Sequence, residues 1–462
     1  MSVRTTALVF AVAGMAIAGC GGSSAPVPVT QTSSGALRST STSSPIAHVV
    51  IVIQENRTFN DFFATFPGAD GTTTANIAAQ PNCSPPIQKG TIALTKANLV
   101  VATDLVHRWA GYRAAYNHGK MNGFDRVVDS TGKPECTYPY QYTDPQQIQP
   151  YWAMASQYTL AEHMFTTQGS DSFTAHQDLI RGSSAVSPGK AMVDLPSCSF
   201  CWWGCDAPAG THTSLITARN VYLRGQGPFP CSTKFTGSYN TLRDLLDAKG
   251  ISWKYYLPPA NKIFGKFMSA FDVVAAVRYG PEWKTNVITP ETAIFNDISG
   301  GSLPAVSWVI PEELNSDHPG EGMDNGPSWV SSIVNAIGTS AYWNSTAIVI
   351  VWDDWGGFYD NLPPAQVRYG GLGFRVPAII VSPYAKPGYV STTNYEFGSI
   401  LKYIEQNWSL GSLGTSDTRA RSISDCFNYS QAPIPFKPFA AKLSKEYFLR
   451  EKPSYKPTDT DM

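Results

Sequence analysis

Charged residues are scarce in this chain of 462 residues. Lys, Arg, Asp and Glu make up 15% of it, and the formal net charge is -1. A polybasic nucleic-acid binder and a long solvated disordered chain are therefore excluded. The apolar fraction of 43% is enough to bury a large core. With 38 Gly, 34 Pro and 12% aromatic residues, the composition indicates a compact, loop-rich, exported enzyme or binding protein.

Apolar runs long enough to cross a bilayer are also lacking. The run at 7–17 follows a single charge, Arg4, and fits the apolar core of a secretory signal peptide. It ends in Ile17-Ala18-Gly19-Cys20, which resembles a bacterial lipobox, where the Cys is lipidated and becomes the mature N-terminus. The alternative is an ordinary signal peptide with a chance Cys. We predict a signal peptide at 1–19 and a cell-envelope lipoprotein, periplasmic or extracellular, held to the lipid bilayer through Cys20.

The segment after the lipobox is poor in residues that could form a core. Residues 20–45 are mostly Gly, Ser, Thr, Pro and Val with one charge, Arg38, so we predict a flexible tether. No internal boundary is visible beyond it. Length alone suggests about three domains, but α/β enzymes often run longer as one. We predict one large domain over 46–426 and a polar tail over 427–462 packed on it.

Seven cysteines lie beyond the lipobox, so at least one thiol is unpaired or pairs outside the chain. Cys198 and Cys201 have zinc-knuckle spacing, but no second ligand pair follows, and disulfides are the better interpretation in an exported protein. The predicted pairs are Cys83–Cys136 and Cys205–Cys231. Residues 183–235 are rich in Cys, Trp, Pro and Gly, and we predict that they form an insertion or cap.

Buried strands and amphipathic helices alternate along the chain. Continuous β-branched and aliphatic runs predict strands buried on both faces at 48–54, 305–310, 346–352 and 376–382. Helical patterns with boundary signals occur at 239–248, 327–337 and 397–407. This alternation predicts an α/β fold with a mostly parallel central sheet and helices on both faces.

Polar residues follow two of these strands. Glu55 and Asn56 come after the first strand, and Asp353 and Asp354 come after the third. Ligands of open parallel sheets bind at the carboxyl ends of strands, where these side chains would meet. Packed carboxylates repel one another, and a divalent cation relieves that repulsion; oxygen ligands favour Mg²⁺, Ca²⁺ or Mn²⁺. Either pair alone is explained as well by ordinary polar residues at a strand end, but together they predict a metal site.

A turn at 169–171 leads into a helical segment that ends near Arg181-Gly182. A Ser at such a start is usually an N-cap, but the position also places its hydroxyl where backbone N–H groups and the helix dipole favour an anion. Beside a metal and an anion site, Ser172 is a candidate nucleophile for phosphoryl transfer, because the metal would lower the pKa of its hydroxyl.

The segment Gln54-Glu55-Asn56-Arg57-Thr58-Phe59-Asn60 resembles the QENRSFD signature of the bacterial phosphoesterase family. That family includes secreted acid phosphatases and phospholipases C and belongs to the alkaline-phosphatase-like superfamily. Further family motifs follow in order from about residue 48 to 425. They are similar to the segments at 107–109, 119–124, 170–177, 203–208, 317–319, 352–360 and 373–377.

The resemblance implies an alkaline-phosphatase-like fold and a phosphoric ester hydrolase that needs a divalent metal ion. It implies Ser172 as the nucleophile, with His107 and His318 donating hydrogen bonds to the phosphoryl oxygens or protonating the leaving group. The implied metal ligands are Glu55, Asn56, Ser172, Asp353 and Asp354. We expect an acid-phosphatase-type phosphomonoesterase that acts on a small phosphorylated substrate through a phosphoserine intermediate. The alternatives are a phospholipase C or phosphodiesterase of the same family, and a non-catalytic surface-binding lipoprotein on this scaffold.

Some positions depart from the family pattern or keep an open role. Trp355 stands where many members have His, and Asp360-Asn361 stands where they have Asp-His, which weakens the case for a second metal there. His176 lies one helical turn after Ser172 and either stabilises the helix or contacts the site. The histidines predicted to be structural are His48, His118, His163 and His212. Lys254 and Tyr256 fall in a block that the family places near the pocket.

Overall fold

The computed structural model describes residues 44–197, 202–259, 263–320 and 322–454. The predicted signal peptide, Cys20 and the tether up to residue 43 lie outside these residues, as do Cys198 and Cys201. None of the helices in the described residues is both long enough and apolar enough to span a bilayer.

The described residues contain eighteen strands and twelve α-helices. The strands are β1 His48–Gln54, β2 Thr74–Ile77, β3 Gly90–Ala93, β4 Thr95–Ala97, β5 Gln141–Thr143, β6 Thr159–Ala161, β7 Met164–Phe165, β8 Ala185–Ser187, β9 Lys190–Ser197, β10 His212–Thr217, β11 Tyr222–Leu223, β12 Trp253–Tyr256, β13 Val287–Ile288, β14 Val306–Val309, β15 Thr346–Trp352, β16 Ala378–Val381, β17 Tyr389–Ser391 and β18 Tyr395–Glu396. The helices are α1 Phe59–Phe63, α2 Trp109–Tyr116, α3 Gln149–Gln157, α4 Ser172–Arg181, α5 Leu242–Ala248, α6 Ile263–Phe267, α7 Ala275–Arg278, α8 Glu282–Thr285, α9 Ala293–Ser299, α10 Gly326–Gly338, α11 Phe397–Trp408 and α12 Lys445–Phe448.

The central sheet has eight strands in the order β13-β12-β14-β1-β15-β16-β6-β17. All of them run in one direction except β16, which is antiparallel to β15 and β6. The strand register pairs Gln54 of β1 with Trp352 of β15. The two strands therefore end at the same level, and the polar residues that follow them emerge side by side.

Helices cover both faces of this sheet, as predicted. Trp308 and Val349 share one face because both are level with the same residue of β1. On that face, Trp308 Nε1 donates to the carbonyl of Leu179 in α4 at 3.2 Å. Trp352 lies three residues after Val349 and so points to the opposite face, where its ring contacts Tyr151 of α3 with centroids 4.9 Å apart. The sheet is thus enclosed between α4 and α3.

Most of the predicted elements are confirmed, with shifts at their ends. The strands at 48–54 and 346–352 have the predicted bounds, whereas those at 305–310 and 376–382 shorten to Val306–Val309 and Ala378–Val381. Pro377, which has no N–H to donate, precedes the last of these. The helix expected from 239 begins at Leu242, because Thr241 and Asp244 form a capping box.

The predicted cap contains a separate antiparallel sheet in the order β11-β10-β9-β8. Both predicted disulfides are confirmed: the Sγ atoms lie 1.97 Å apart in Cys83–Cys136 and 2.00 Å apart in Cys205–Cys231. Cys426 is a free, buried thiol. Asp194 of β9 joins the cap to the body of the domain, because its carboxylate accepts hydrogen bonds from Trp109 N at 2.7 Å and Ser170 Oγ at 3.2 Å.

The described part of the tail returns over α10. Asn335 Nδ2 of this helix donates to the carbonyl of Phe439 at 2.9 Å. The ring of Phe448 packs edge-on against Trp329, with centroids 5.3 Å apart. These contacts place α12 on the face of the sheet that carries α10.

Candidate active site

Three chain segments meet at the carboxyl end of the sheet: the residues after β1, the residues after β15 and the start of α4. Asn56 follows β1 with a left-handed backbone (φ 58°), which Asn tolerates better than most residues. Its backbone N–H donates to Asp353 Oδ1 at 3.0 Å. Gly356 lies against this turn, and a Cβ there would come within 2.1 Å of the Asn56 carbonyl oxygen. The close approach of the two loops therefore requires glycine at 356.

Ser172 is the first residue of α4, and the N-cap is Asp171. The Ser172 hydroxyl lies 3.0 Å from Asp354 Oδ2 and 3.4 Å from Asn56 Oδ1, and the residue is only 1% exposed. Asp171 Oδ2 accepts a hydrogen bond from Leu195 N of β9 at 2.6 Å. Asp171 thus binds β9 of the cap, and the Ser172 hydroxyl is directed at the ends of β1 and β15.

The acidic pair after β15 is bound asymmetrically. Asp353 Oδ1 accepts the backbone N–H groups of Asn56 and Asp354, whereas its Oδ2 accepts no hydrogen bond from the described residues. Asp354 Oδ1 accepts from Gly356 N at 2.8 Å, and its Oδ2 faces the Ser172 hydroxyl. One oxygen of each carboxylate is therefore fixed by backbone, and the other is directed into the site.

His107 and His318 flank the Asn56 side chain. His107 Nδ1 lies 2.6 Å from the carbonyl of Leu105, and His318 Nδ1 lies 2.6 Å from the carbonyl of Pro319. Because a carbonyl only accepts, each Nδ1 carries the proton, and each Nε2 is the site that can gain or lose one. Asn56 Nδ2 lies 2.9 Å from His318 Nε2 and 3.4 Å from His107 Nε2.

Residues that depart from the family pattern have structural partners here. Trp355 is buried and donates from Nε1 to the His107 carbonyl at 2.8 Å. Asp360 forms a buried bidentate pair with Arg375, with N–O distances of 2.9 and 2.8 Å. These contacts give Trp355 a role in holding His107 and give Asp360 an ion-pair partner.

Buried hydrogen bonds also hold the loop that carries His318. Asp317, with a φ of 69°, accepts hydrogen bonds at Oδ2 from Tyr151 OH at 2.8 Å and Trp352 Nε1 at 3.2 Å. Arg57 Nε donates to the Asp317 carbonyl at 3.0 Å. Burial raises the pKa of Asp317 to about 6, although these donors oppose the shift.

His176, whose role the sequence leaves open, lies beside Glu55 and Asp353. Its Nε2 is 3.5 Å from Glu55 Oε1 and 3.5 Å from Asp353 Oδ2. Within the described residues, both Glu55 carboxylate oxygens, both His176 ring nitrogens and Asp353 Oδ2 are buried without a hydrogen-bond partner. One ligand atom from each residue lies within 4.8 Å of the others. Buried polar atoms normally find partners, and a divalent cation would bind the carboxylate oxygens and one of the two ring nitrogens.

The pKa values of His176 and of the acidic residues around it depend on one another. Burial, together with the nearby charge of Asp353, raises the pKa of Glu55 to about 7. Burial lowers the pKa of His176, but the contacts to Asp353 and Glu55 outweigh it and raise the value to about 9. Burial and the other acidic groups hold the pKa of Asp354 well above its ordinary value. The site thus concentrates three acidic side chains in the buried interior of the domain.

The predicted site residues come together, but in two groups. Glu55 and Asp353 face His176, whereas Asn56, Ser172 and Asp354 are joined by hydrogen bonds beside His107 and His318. The role of each residue stays a prediction. The sequence signal for His176 was its spacing from Ser172, which places both on one helix face but does not show what lies opposite.

Lys254 and Tyr256 form a different cluster. Lys254 Nζ lies 2.6 Å from Asp297 Oδ2, and the Tyr256 hydroxyl donates to the same oxygen at 2.5 Å. Their polar groups are thus engaged with Asp297 on α9 rather than with the strand-end cluster.

Comparison with known proteins agrees with this geometry. A model of the Phosphoesterase family matches residues 46–411. Phospholipase C A of Mycobacterium tuberculosis is 24% identical over 449 residues, covering 85% of this chain and 79% of that protein. The non-hemolytic phospholipase C of Pseudomonas aeruginosa is 25% identical over 451 residues, covering 85% of this chain and 59% of that protein.

Among solved structures, a protein of the alkaline phosphatase superfamily from Vibrio parahaemolyticus has a TM-score of 0.33 at 14% identity, covering 79% of this chain and 78% of that chain. The family match spans the strand ends, the start of α4 and the loop of His318. The chain therefore belongs to the phosphoesterase family and is a phosphoric ester hydrolase.

Proposed function

We propose that this protein is a metal-dependent phosphomonoesterase of the acid-phosphatase type that acts through a phosphoserine intermediate. The observation that carries the proposal is the position of Ser172. Its hydroxyl lies 3.0 Å from Asp354 Oδ2, at the first residue of α4, with His107 and His318 on the other side of Asn56. A hydroxyl, an acceptor for its proton and two imidazoles are the groups that a two-step displacement needs.

In the first step, Ser172 Oγ forms a bond to phosphorus and the bond from phosphorus to the leaving oxygen breaks. Asp354 Oδ2 is the acceptor nearest to the hydroxyl proton. His107 or His318 delivers a proton from Nε2 to the leaving oxygen, because each Nδ1–H is held on a carbonyl. A water then attacks phosphorus, the bond from phosphorus to Ser172 Oγ breaks, and phosphate is released. Ser172 Oγ takes back the proton held by Asp354, and the proton that the water loses restores the imidazole.

The residues present fit a divalent cation. Glu55, Asn56, Ser172, Asp353 and Asp354 are the residues that would hold it, and Glu55 and Asp353 direct buried oxygens without hydrogen-bond partners among the described residues into the site. When bound, such an ion supplies positive charge at the phosphoryl oxygens and lowers the pKa of a bound hydroxyl. The chain itself supplies the nucleophile, the proton acceptor and the orientation of both imidazoles.

Phospholipase C activity is the second candidate, because the relatives in two bacterial species bear that name. The burial of the nucleophile favours the first candidate: Ser172 is 1% exposed. An enclosed hydroxyl accommodates a small phosphomonoester more readily than a phosphodiester attached to a bilayer. A non-catalytic binding role is disfavoured because Ser172 and the acidic side chains are all in place.

A phosphate-release panel tests the proposal. Purified full-length protein is given a phosphomonoester, a phosphodiester and phosphatidylcholine vesicles, each with and without a chelator. We expect kcat/KM for the monoester to exceed that for phosphatidylcholine at least tenfold, about 1.4 kcal/mol in transition-state binding, and to fall when metal is removed. Rapid diacylglycerol release with weak monoester turnover would instead assign phospholipase C.

The proposal includes attachment to the membrane through lipid on Cys20, which the sequence motif supports. Each buried CH₂ of such a lipid contributes about 0.8 kcal/mol to membrane binding. We expect Cys20→Ser to move the protein from the membrane fraction to the soluble fraction after cell lysis. A variant that stays with the membranes would show that attachment is by another route.

A further inference from the structure

The ring of His176 lies between two carboxylates without a hydrogen bond of ordinary length to either. Its Nε2 is equidistant, at 3.5 Å, from one oxygen of Glu55 and one oxygen of Asp353. Neither nitrogen has a hydrogen-bond partner among the described residues, and all three side chains are buried. The ring is held from the cap side by Trp203, whose indole packs edge-on with centroids 5.5 Å apart.

The spacing differs from that of a hydrogen-bonded ion pair. Charge-assisted N–H···O bonds are about 2.7–2.9 Å long, and one N–H would select one of the two carboxylates. Two ligand atoms at about 2.1 Å from one ion are about 3.0 Å apart at an octahedral angle and about 3.4 Å apart at a tetrahedral angle. The two distances from Nε2 are therefore closer to the spacing between ligands of a common ion than to that of a hydrogen bond.

We propose that His176 is a protein ligand of the metal ion, together with Glu55 and Asp353, and that this nitrogen ligand makes the site selective for a zinc-class ion. The proposal rests on the proposed function, since it concerns the metal of the same site. The sequence pattern assigns only oxygen ligands and favours Mg²⁺, Ca²⁺ or Mn²⁺. An imidazole in a mixed nitrogen and oxygen set favours Zn²⁺ over Mg²⁺ and Ca²⁺.

The position of His176 on α4 gives this ligand a consequence for the nucleophile. Residues four apart lie on one helix face, so a ligand at 176 and the hydroxyl at 172 are held by the same rigid segment. Trp203 of the cap packs against two residues of this helix, because its ring also contacts Phe173 with centroids 5.2 Å apart. Ion and nucleophile are thus positioned by one helix, which the cap holds in place.

Zinc binding to the full-length protein tests the proposal without an activity readout. Zn²⁺ affinity is measured by competition with a chromophoric chelator for the wild type, His176→Ala and His176→Asp. X-ray absorption at the zinc edge reports whether an imidazole is bound. His48→Ala is the matched control, since His48 Nδ1 lies 3.0 Å from the carbonyl of Pro304, at the opposite end of β1 from the strand-end cluster.

We expect His176→Ala to weaken Zn²⁺ binding at least about 100-fold, because even partners that only orient a ligand affect affinity by about 10–100-fold. The imidazole scattering should disappear in this variant and persist in the control. His176→Asp supplies an oxygen in place of the nitrogen and should shift the preference from Zn²⁺ towards Mn²⁺ or Mg²⁺. Circular dichroism checks that each variant is folded; should His176→Ala not fold, the aspartate variant carries the test.

The outcomes separate this proposal from the proposed function. If His176→Ala binds Zn²⁺ within about threefold of the wild type, or if the wild-type zinc spectrum lacks imidazole, His176 is not a ligand, while hydrolysis of a monoester would still stand. If zinc binds with the imidazole signal but no phosphate ester is hydrolysed, the ligand assignment survives and the proposed function fails.

Discussion

Two buried acidic clusters of this domain differ in what faces them. At the strand ends, Glu55 and Asp353 face the His176 imidazole, and the three residues bring one ligand atom each close enough to hold an ion. At the other cluster, Glu291, Glu312 and Glu451 line a cavity of about 160 Å³ under the tail. Burial raises the pKa of Glu291 to about 8 and of Glu312 to about 7, and carboxyl neighbours add to the shift.

The comparison shows that burial of carboxylates does not by itself identify a metal site. In the tail cluster, Glu312 accepts from Ser454 N and Glu451 from Asn315 Nδ2 at 2.6 Å, while Glu291 and Glu451 each keep one buried oxygen without a partner among the described residues. The strand-end cluster differs in its imidazole, and one ligand atom from each of its three residues lies within 4.8 Å of the others. Protonation can neutralise the tail cluster, whereas the strand-end cluster is arranged so that a cation can neutralise it.

The largest expected effect is on the nucleophile beside the strand-end cluster. Ser172→Ala should lower kcat by at least about 1,000-fold, because the covalent route is lost. The melting temperature should change little, since the substitution removes one hydrogen bond to Asp354. Activity within tenfold of the wild type would remove Ser172 from this role.

Two aspartates that lie close in the sequence sharpen the comparison. Asp353→Asn should weaken metal binding and turnover together, because it removes an anionic oxygen from the strand-end cluster. Asp360→Asn should instead cost about 3–5 kcal/mol in the free energy of unfolding, because Arg375 is left as a buried charge.

Chelator competition and urea unfolding of both variants measure these two effects separately. The expected result is a double dissociation: metal affinity falls for one substitution and stability for the other. Loss of metal binding in Asp360→Asn, with stability retained, would mean that Asp360 belongs to the metal site after all.

The sequence predicts those features of the domain that have a local pattern of residues. Uninterrupted β-branched runs predict β1 and β15 to the residue, and the polar residues after them predict a shared edge. The reversed direction of β16 has no such signal, because an apolar run has the same pattern in both directions. The pairing of Asp360 with Arg375 and the approach of His176 to Glu55 depend on contacts between distant segments, which periodicity does not encode.

The smallest expected effect concerns the pH dependence of the tail cluster. A carboxyl whose pKa is higher in the folded protein than in the unfolded chain is more protonated when folded, so its contribution to stability is complete below the unfolded pKa and is lost as the pH rises through the folded value. For Glu291 the window runs from the ordinary glutamate value of 4.5 to about 8. Glu291→Gln removes the ionisation and should lessen the loss of stability between pH 5 and pH 8 by a few kcal/mol, because one unit of pKa corresponds to about 1.4 kcal/mol.

Urea unfolding at both pH values measures the difference, with metal content held constant. Glu446→Gln is the control, because Glu446 is an exposed acid of α12 in the same tail. Equal pH dependence in the wild type and Glu291→Gln would mean that Glu291 stays ionised when buried. The tail cluster would then need a bound cation, and the distinction between the two acidic clusters would disappear.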